Sequence, residues 1–269
     1  MAMPSVPNLE ALARIGFAAR GIMYILIGIL ALFTGRSEDG AGALEQLNSG
    51  FGRVLLGAMA VGFLGYGLWR ISDAIYDSEG HGSDAKGIAV RLGGAVSGVI
   101  HLGLCIVAAS LTSGSGKGSG GDSTQQGAAA TLDLPGGEIL VLIGGVVLLA
   151  TGALQLVKAW RADFLRNLDG EAARRPQIKA LGQAGFAARG IVFLVMGWFL
   201  LRAGWESRSS EAGGMGEVLA SLNPTVHALV AAGLLLFGIF SLVEARYRRI
   251  NDPKVLERLR SSASRIKPA

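Results

Sequence analysis

Apolar residues fill whole stretches of this chain. They do not recur at the 3.6-residue spacing of a surface helix or the two-residue spacing of a half-buried strand. Six stretches stand out, at roughly residues 15–35, 53–76, 88–111, 137–160, 180–203 and 224–247. About 20 predominantly apolar residues carry an α-helix across a bilayer core, so each stretch predicts one transmembrane helix. The expectation is an all-α membrane protein, with residues 1–269 forming a single transmembrane domain and no soluble domain.

The six helices are three copies of one pair. The first member reads RIGFAARGIMY from Arg14, RLGGAVSGVIH from Arg91 and QAGFAARGIVF from Gln183. The second reads GLWRISDA from Gly67, GALQLVKA from Gly152 and GIFSLVEA from Gly238. The repeats occupy residues 11–78, 86–169 and 179–250. The outer connections ALEQLNSG, ATLDLPGG and VLASLNPT also echo one another, each as a short interfacial helix ended by a breaker. Each copy holds an even number of helices, so all three enter the membrane in the same orientation. This predicts three tandem hairpins with pseudo-threefold symmetry about the membrane normal, unlike the inverted repeats of many transporters.

Composition agrees: 51% of residues are hydrophobic, 17% are charged and mean hydropathy is +0.46. The pI near 9.7 raises the question of nucleic acid, but the placement of the charges answers it. With the N-terminus inside, twenty of the 25 Lys and Arg fall on the cytoplasmic side and five outside. The positive-inside rule then places both termini in the cytoplasm. Anionic lipid headgroups, not nucleic acid, are the partners this pattern predicts. The first apolar run is too long for a signal-peptide core and reads as the first span. Cys105, the single cysteine, excludes a disulfide framework. The GSGK in the long Gly/Ser-rich outer loop is not a phosphate loop, because Gly118 follows Lys117. The basic stretch 251–269 is a cytoplasmic tail with the makings of a short surface helix.

At this level the chain resembles a bacterial membrane-protein family built from three repeated transmembrane helix pairs and known as a domain of unknown function. The two GFAARG copies and VEARYRR from Val243 carry the resemblance, which covers Arg14 to Arg249. It implies a six-helix protein of the bacterial inner membrane and supplies no activity. The middle repeat departs from the pattern, with Ser97 at the arginine position.

Arg20 and Arg189 sit about one and a half turns inside their spans, where a charge is disfavoured unless it snorkels or finds an acid. The second-helix position matched to them holds Asp73, Lys158 and Glu244 in the three copies. The copy that lacks the base also lacks the acid, which predicts structural ion pairs Arg20–Asp73 and Arg189–Glu244. Cross-pairing between copies, such as Lys158 with Asp73 or Glu244, is the alternative. Arg70, Gln155 and Ser241 share one polar position across the copies and are candidates, with His101, to line the pseudo-axis. A metal site needs three or four ligands, and the spans offer no second His or Cys to join His101 and Cys105. Metal and cofactor are therefore not expected. No nucleophile–base set or carboxylate pair appears within the spans, so an enzyme is not expected either. The sequence points to a structural or accessory subunit, or a scaffold for lipids or membrane proteins, with a homo-oligomer as one form of partnership. A small-solute channel or transporter with a path near the axis is the alternative.

Overall fold

The computed structural model describes residues 6–34, 38–77, 80–114 and 123–248. The tail 251–269 and the glycine-rich loop around Lys117 lie outside the described residues. Six helices are long and apolar enough to cross a membrane. They are α1 (Val6–Ile29, extended by a π-helical turn Leu30–Thr34), α3 (Phe51–Tyr76), α4 (Ala85–Thr112), α6 (Gly137–Arg161), α8 (Pro176–Glu206) and α10 (Pro224–Tyr247). Short helices α2 (Gly40–Glu45), α5 (Ser123–Leu132) and α9 (Met215–Ser221) occupy the three echoing connections, and α7 (Gly170–Ala173) lies between α6 and α8. Among the described residues there is no β-strand, only an isolated bridge between Leu168 and Arg248.

Local chemistry starts and stops these helices where the sequence changes character. Asp84 caps α4 by accepting from the Gly87 amide at 2.9 Å, and Asn223 caps α10 by accepting from Val226 at 3.0 Å. Prolines open α8 and α10, where the missing N–H has no intrahelical role. Asp77, Ala162 and Ser207 close α3, α6 and α8 in the left-handed region. Exposed Tyr76 and Trp160 mark the face of the bundle where α1 begins and α10 ends, called the terminal face below. Exposed Phe33, Phe51 and Trp205 mark the far face, so aromatic side chains flank the apolar band at both ends.

Neighbours around the bundle run α4–α3–α1–α10–α8–α6, and α4 and α6 barely meet. Backbones approach closely between repeats at three matching glycines. A Cβ at Gly21 would stand 2.9 Å from the Gly238 carbonyl oxygen; one at Gly98 would stand 3.0 Å from that of Gly67, and one at Gly190 3.0 Å from that of Gly152. Corresponding residues thus make all three crossings: the first helix of the second and third repeats meets the second helix of the repeat before it, and α1 of the first repeat meets α10 of the third. Small residues let helix backbones approach closely where lipid supplies no hydrophobic drive for association. The opening residue of each motif reinforces the same crossing. Arg14 donates to the carbonyls of Ala245 (3.1 Å) and Arg246 (2.6 Å) at the end of α10. Arg91 donates to Ala74 (2.9 Å) and Ile75 (3.0 Å) at the end of α3, and Gln183 to Ala159 (3.1 Å) near the end of α6. These are the carbonyls a helix terminus leaves without intrahelical partners.

Within the pairs, the first and third close tightly and the middle one does not. A Cβ at Gly16 would sit 2.5 Å from that of Tyr66, and one at Gly185 2.6 Å from the Phe237 Cα. At the matching Gly93 it would meet only the Thr151 hydroxyl, at 3.5 Å. The cause is visible two contacts along. Ala19 packs on Gly62 and Ala188 on Gly233, but Val96 and Val147 take both places in the middle repeat. Two β-branched side chains cannot occupy a contact shaped for alanine on glycine, so α4 and α6 stand apart.

Candidate functional site

The separation of α4 from α6 opens a cavity of about 1300 Å³ reaching into the bundle. It extends from Asp84 and Asp163, near the terminal face, to Asp39 and Met215, near the far face. Its flanks on α4 and α6 are apolar and exposed: Val96, Ile100, Leu140, Ile143 and Val157. Its inner wall carries the buried Arg20, Arg189, Glu244 and Arg248. Counting both ends, six Lys or Arg and four Asp or Glu among the described residues line the cavity.

The buried charges on that wall do not pair as the sequence led us to expect. Arg20 meets Glu244, not Asp73: its Nη2 donates to Glu244 Oε2 at 2.6 Å, its Nη1 to the Tyr66 hydroxyl at 2.6 Å and its Nε to Ser241 Oγ at 3.2 Å. Arg248 donates to the other Glu244 oxygen at 2.5 Å. Asp73 lies 3.5 Å from Arg70 and 3.5 Å from His81. Arg189 has no carboxylate partner among the described residues. Its guanidinium carbon lies 4.6 Å from the Phe193 ring centroid, 5.0 Å from Phe237 and 5.5 Å from Tyr24. The predicted pairs Arg20–Asp73 and Arg189–Glu244 are therefore replaced by one pair between the first and third repeats. The physical reason is the glycine crossing, which sets each arginine position against the acid position of the repeat it meets there. Under that register Lys158 faces Arg189, and Ser97 faces Asp73.

Of the four candidate axis residues, three line the cavity: Arg70, Gln155 and His101. Ser241 does not; it is fully buried and donates to the Phe237 carbonyl at 3.0 Å while accepting from Arg20. His101 Nδ1 sits 2.7 Å from the Ser97 carbonyl, and its ring packs 4.4 Å from that of Tyr66. His101 Nε2 and Arg189 Nε are buried with no hydrogen-bond partner. Among the described residues no three His, Cys, Asp or Glu side chains are grouped so as to hold a metal ion. Sequence reasoning missed the cavity itself; its signal was the paired appearance of Val96 and Val147 where the other repeats hold Ala and Gly.

The family model described as Domain of Unknown Function (DUF1206) matches three stretches, residues 15–77, 92–162 and 184–248. Each match takes in one helix pair and its intervening connection. The uncharacterized protein YxxB of Bacillus subtilis (strain 168) is 30% identical over 261 residues, which span 92% of this chain and 94% of that protein. No solved structure matches. Carrying the family's repeat three times over, with six apolar helices that fit a multi-pass membrane protein, the chain belongs to the DUF1206 family of unknown function.

Proposed function

We propose that this protein is a multi-pass protein of the bacterial inner membrane, with both termini in the cytoplasm, that holds a membrane lipid in the cavity between α4 and α6. It acts as a lipid-binding accessory protein and not as an enzyme. The observation that carries the reading is the form of the cavity: apolar and exposed along α4 and α6, charged along its inner wall, and open where two spans fail to close. A water path is better served by polar lining on every side. A lipid needs one apolar flank for its chains and one polar wall for its head. The recurrence of the glycine crossing supports the arrangement of the three pairs about a common axis, with the middle pair splayed to admit the ligand.

A small-solute path is the second reading, favoured by the cavity's reach from Asp84 near one face to Asp39 near the other. Native mass spectrometry after mild-detergent extraction separates the two. Retained phospholipid that disappears when Val147→Trp fills the gap supports lipid holding. Absence of retained lipid, with solute flux through the protein in proteoliposomes, refutes it in favour of the path.

A further inference from the structure

The two buried arginines of the repeated motif are completed differently. At the α1–α10 crossing, Ser241 and Glu244 meet Arg20 with a hydroxyl and a carboxylate. At the α8–α6 crossing the corresponding residues are Gln155 and Lys158, so a cation stands where the acid would be. Arg189 is 8% exposed, its Nε is unpartnered, and no acceptor oxygen among the described residues meets its guanidinium. Three aromatic rings surround it. Ring faces attract a cation but leave its five N–H donors without acceptors. Gln155, 9% exposed, makes no hydrogen bond among the described residues, and His101, 3% exposed, donates from Nδ1 to the Ser97 carbonyl and leaves its Nε2 as an unpartnered acceptor. All three side chains line the cavity. Leaving a buried charge uncompensated is strongly unfavourable, and buried polar groups in this state mark a place filled from outside the chain.

We infer that Arg189 and Gln155 form the headgroup subsite for a net-anionic phospholipid, whose phosphate takes the position that the Glu244 carboxylate holds at the sister crossing, while His101 Nε2 lies in the same cavity as an acceptor for a headgroup hydroxyl. The inference rests on the lipid-holding role proposed above and goes further by naming the headgroup class. The guanidinium fork matches two phosphate oxygens, and a charge-assisted pair of this kind is among the stronger hydrogen bonds available. The Gln155 amide supplies a further donor from the facing helix. Among the described residues the cavity wall carries six Lys or Arg against four Asp or Glu, so an anionic head moves the wall toward neutrality and a zwitterionic head does not. The acyl chains lie along Val96, Ile100, Ile143 and Val157, which face the gap between α4 and α6.

The test measures thermal stabilisation and lipid retention of the full chain in mild detergent, with phosphatidylglycerol, phosphatidylethanolamine or soluble glycerol phosphate added. The expected result is retention of phosphatidylglycerol about tenfold or more above phosphatidylethanolamine, the step that one charge-assisted contact provides, with no effect of glycerol phosphate. Arg189→Met removes that preference while lipid is still retained, and its melting temperature without lipid equals or exceeds that of the wild type. An Arg189→Met protein that is destabilised without lipid and keeps the preference overturns the inference, because the arginine is then structural. Lipid retention without headgroup preference also overturns it and leaves the lipid-holding role standing. Stabilisation by glycerol phosphate alone, or no lipid lost on Val147→Trp, overturns the lipid-holding role itself.

Discussion

Replacing Glu244 with glutamine tests the register of the whole bundle. The carboxylate is 2% exposed and accepts from Arg20 at 2.6 Å and from Arg248 at 2.5 Å. Hydrogen bonds to charged groups contribute about 1.5–3 kcal/mol each. Glutamine keeps the shape and one acceptor oxygen but removes the counter-charge from two buried guanidinium groups. Breaking one side of a buried pair destabilises by about 3–5 kcal/mol, so a loss near the lower end, ~3 kcal/mol, is expected for this conservative change. The assay is equilibrium unfolding in mild detergent, run as two double-mutant cycles. Arg20→Gln with Glu244→Gln should show a coupling of about 1–3 kcal/mol, whereas Arg20→Gln with Asp73→Asn should be additive within about 0.5 kcal/mol. Additivity in the first cycle together with coupling in the second would refute the crossing argument and return the pairing to within one hairpin.

The glycine crossings make a sharper contrast than any average over glycines. Gly190→Leu should lower stability by about 1–3 kcal/mol or more through overpacking, because its Cβ would stand 3.0 Å from the Gly152 carbonyl oxygen, whereas Gly103→Leu, with nothing within 4 Å, should be close to neutral in the same unfolding assay. Restoring small residues with Val96→Ala and Val147→Gly should draw α4 and α6 together; spin labels at Ile88 and Trp160, both exposed, should report a shorter distance, and an unchanged distance rejects the steric account of the cavity. With Cys105 replaced by alanine, a cysteine at Ser209 should be labelled from outside intact cells and one at Asn167 only after permeabilisation, the reverse pattern meaning that the terminal face is outside.

Span number and repeat organisation were legible from composition and self-similarity, because a lipid solvent demands long uninterrupted apolar helices. The buried charges were legible too: Arg20, Asp73, Arg189 and Glu244 are all buried. Their partners were not. Covariation of Ser97 with Lys158 fits pairing within a repeat, yet contact between repeats leaves Arg189 and Asp73 each facing a changed residue. Only the backbone approach at Gly21, Gly98 and Gly190 tells which helix is the neighbour, and a glycine in a sequence does not name what it touches. The splayed middle pair was written in Val96 and Val147. Reading it required knowing that Ala19 rests on Gly62, a contact between residues 43 positions apart.

The link between Arg20 and Glu244 joins residues separated by 224 positions. During synthesis at about 5–20 residues per second, Arg20 therefore enters the bilayer roughly 10–45 seconds before its counter-charge leaves the ribosome. For that interval the nascent first span holds an unanswered cation, and it snorkels toward the headgroups until the last span arrives. The last helix thus ties the first repeat to the third, and a chain truncated before α10 leaves Arg20 without the carboxylate that marks a completed product.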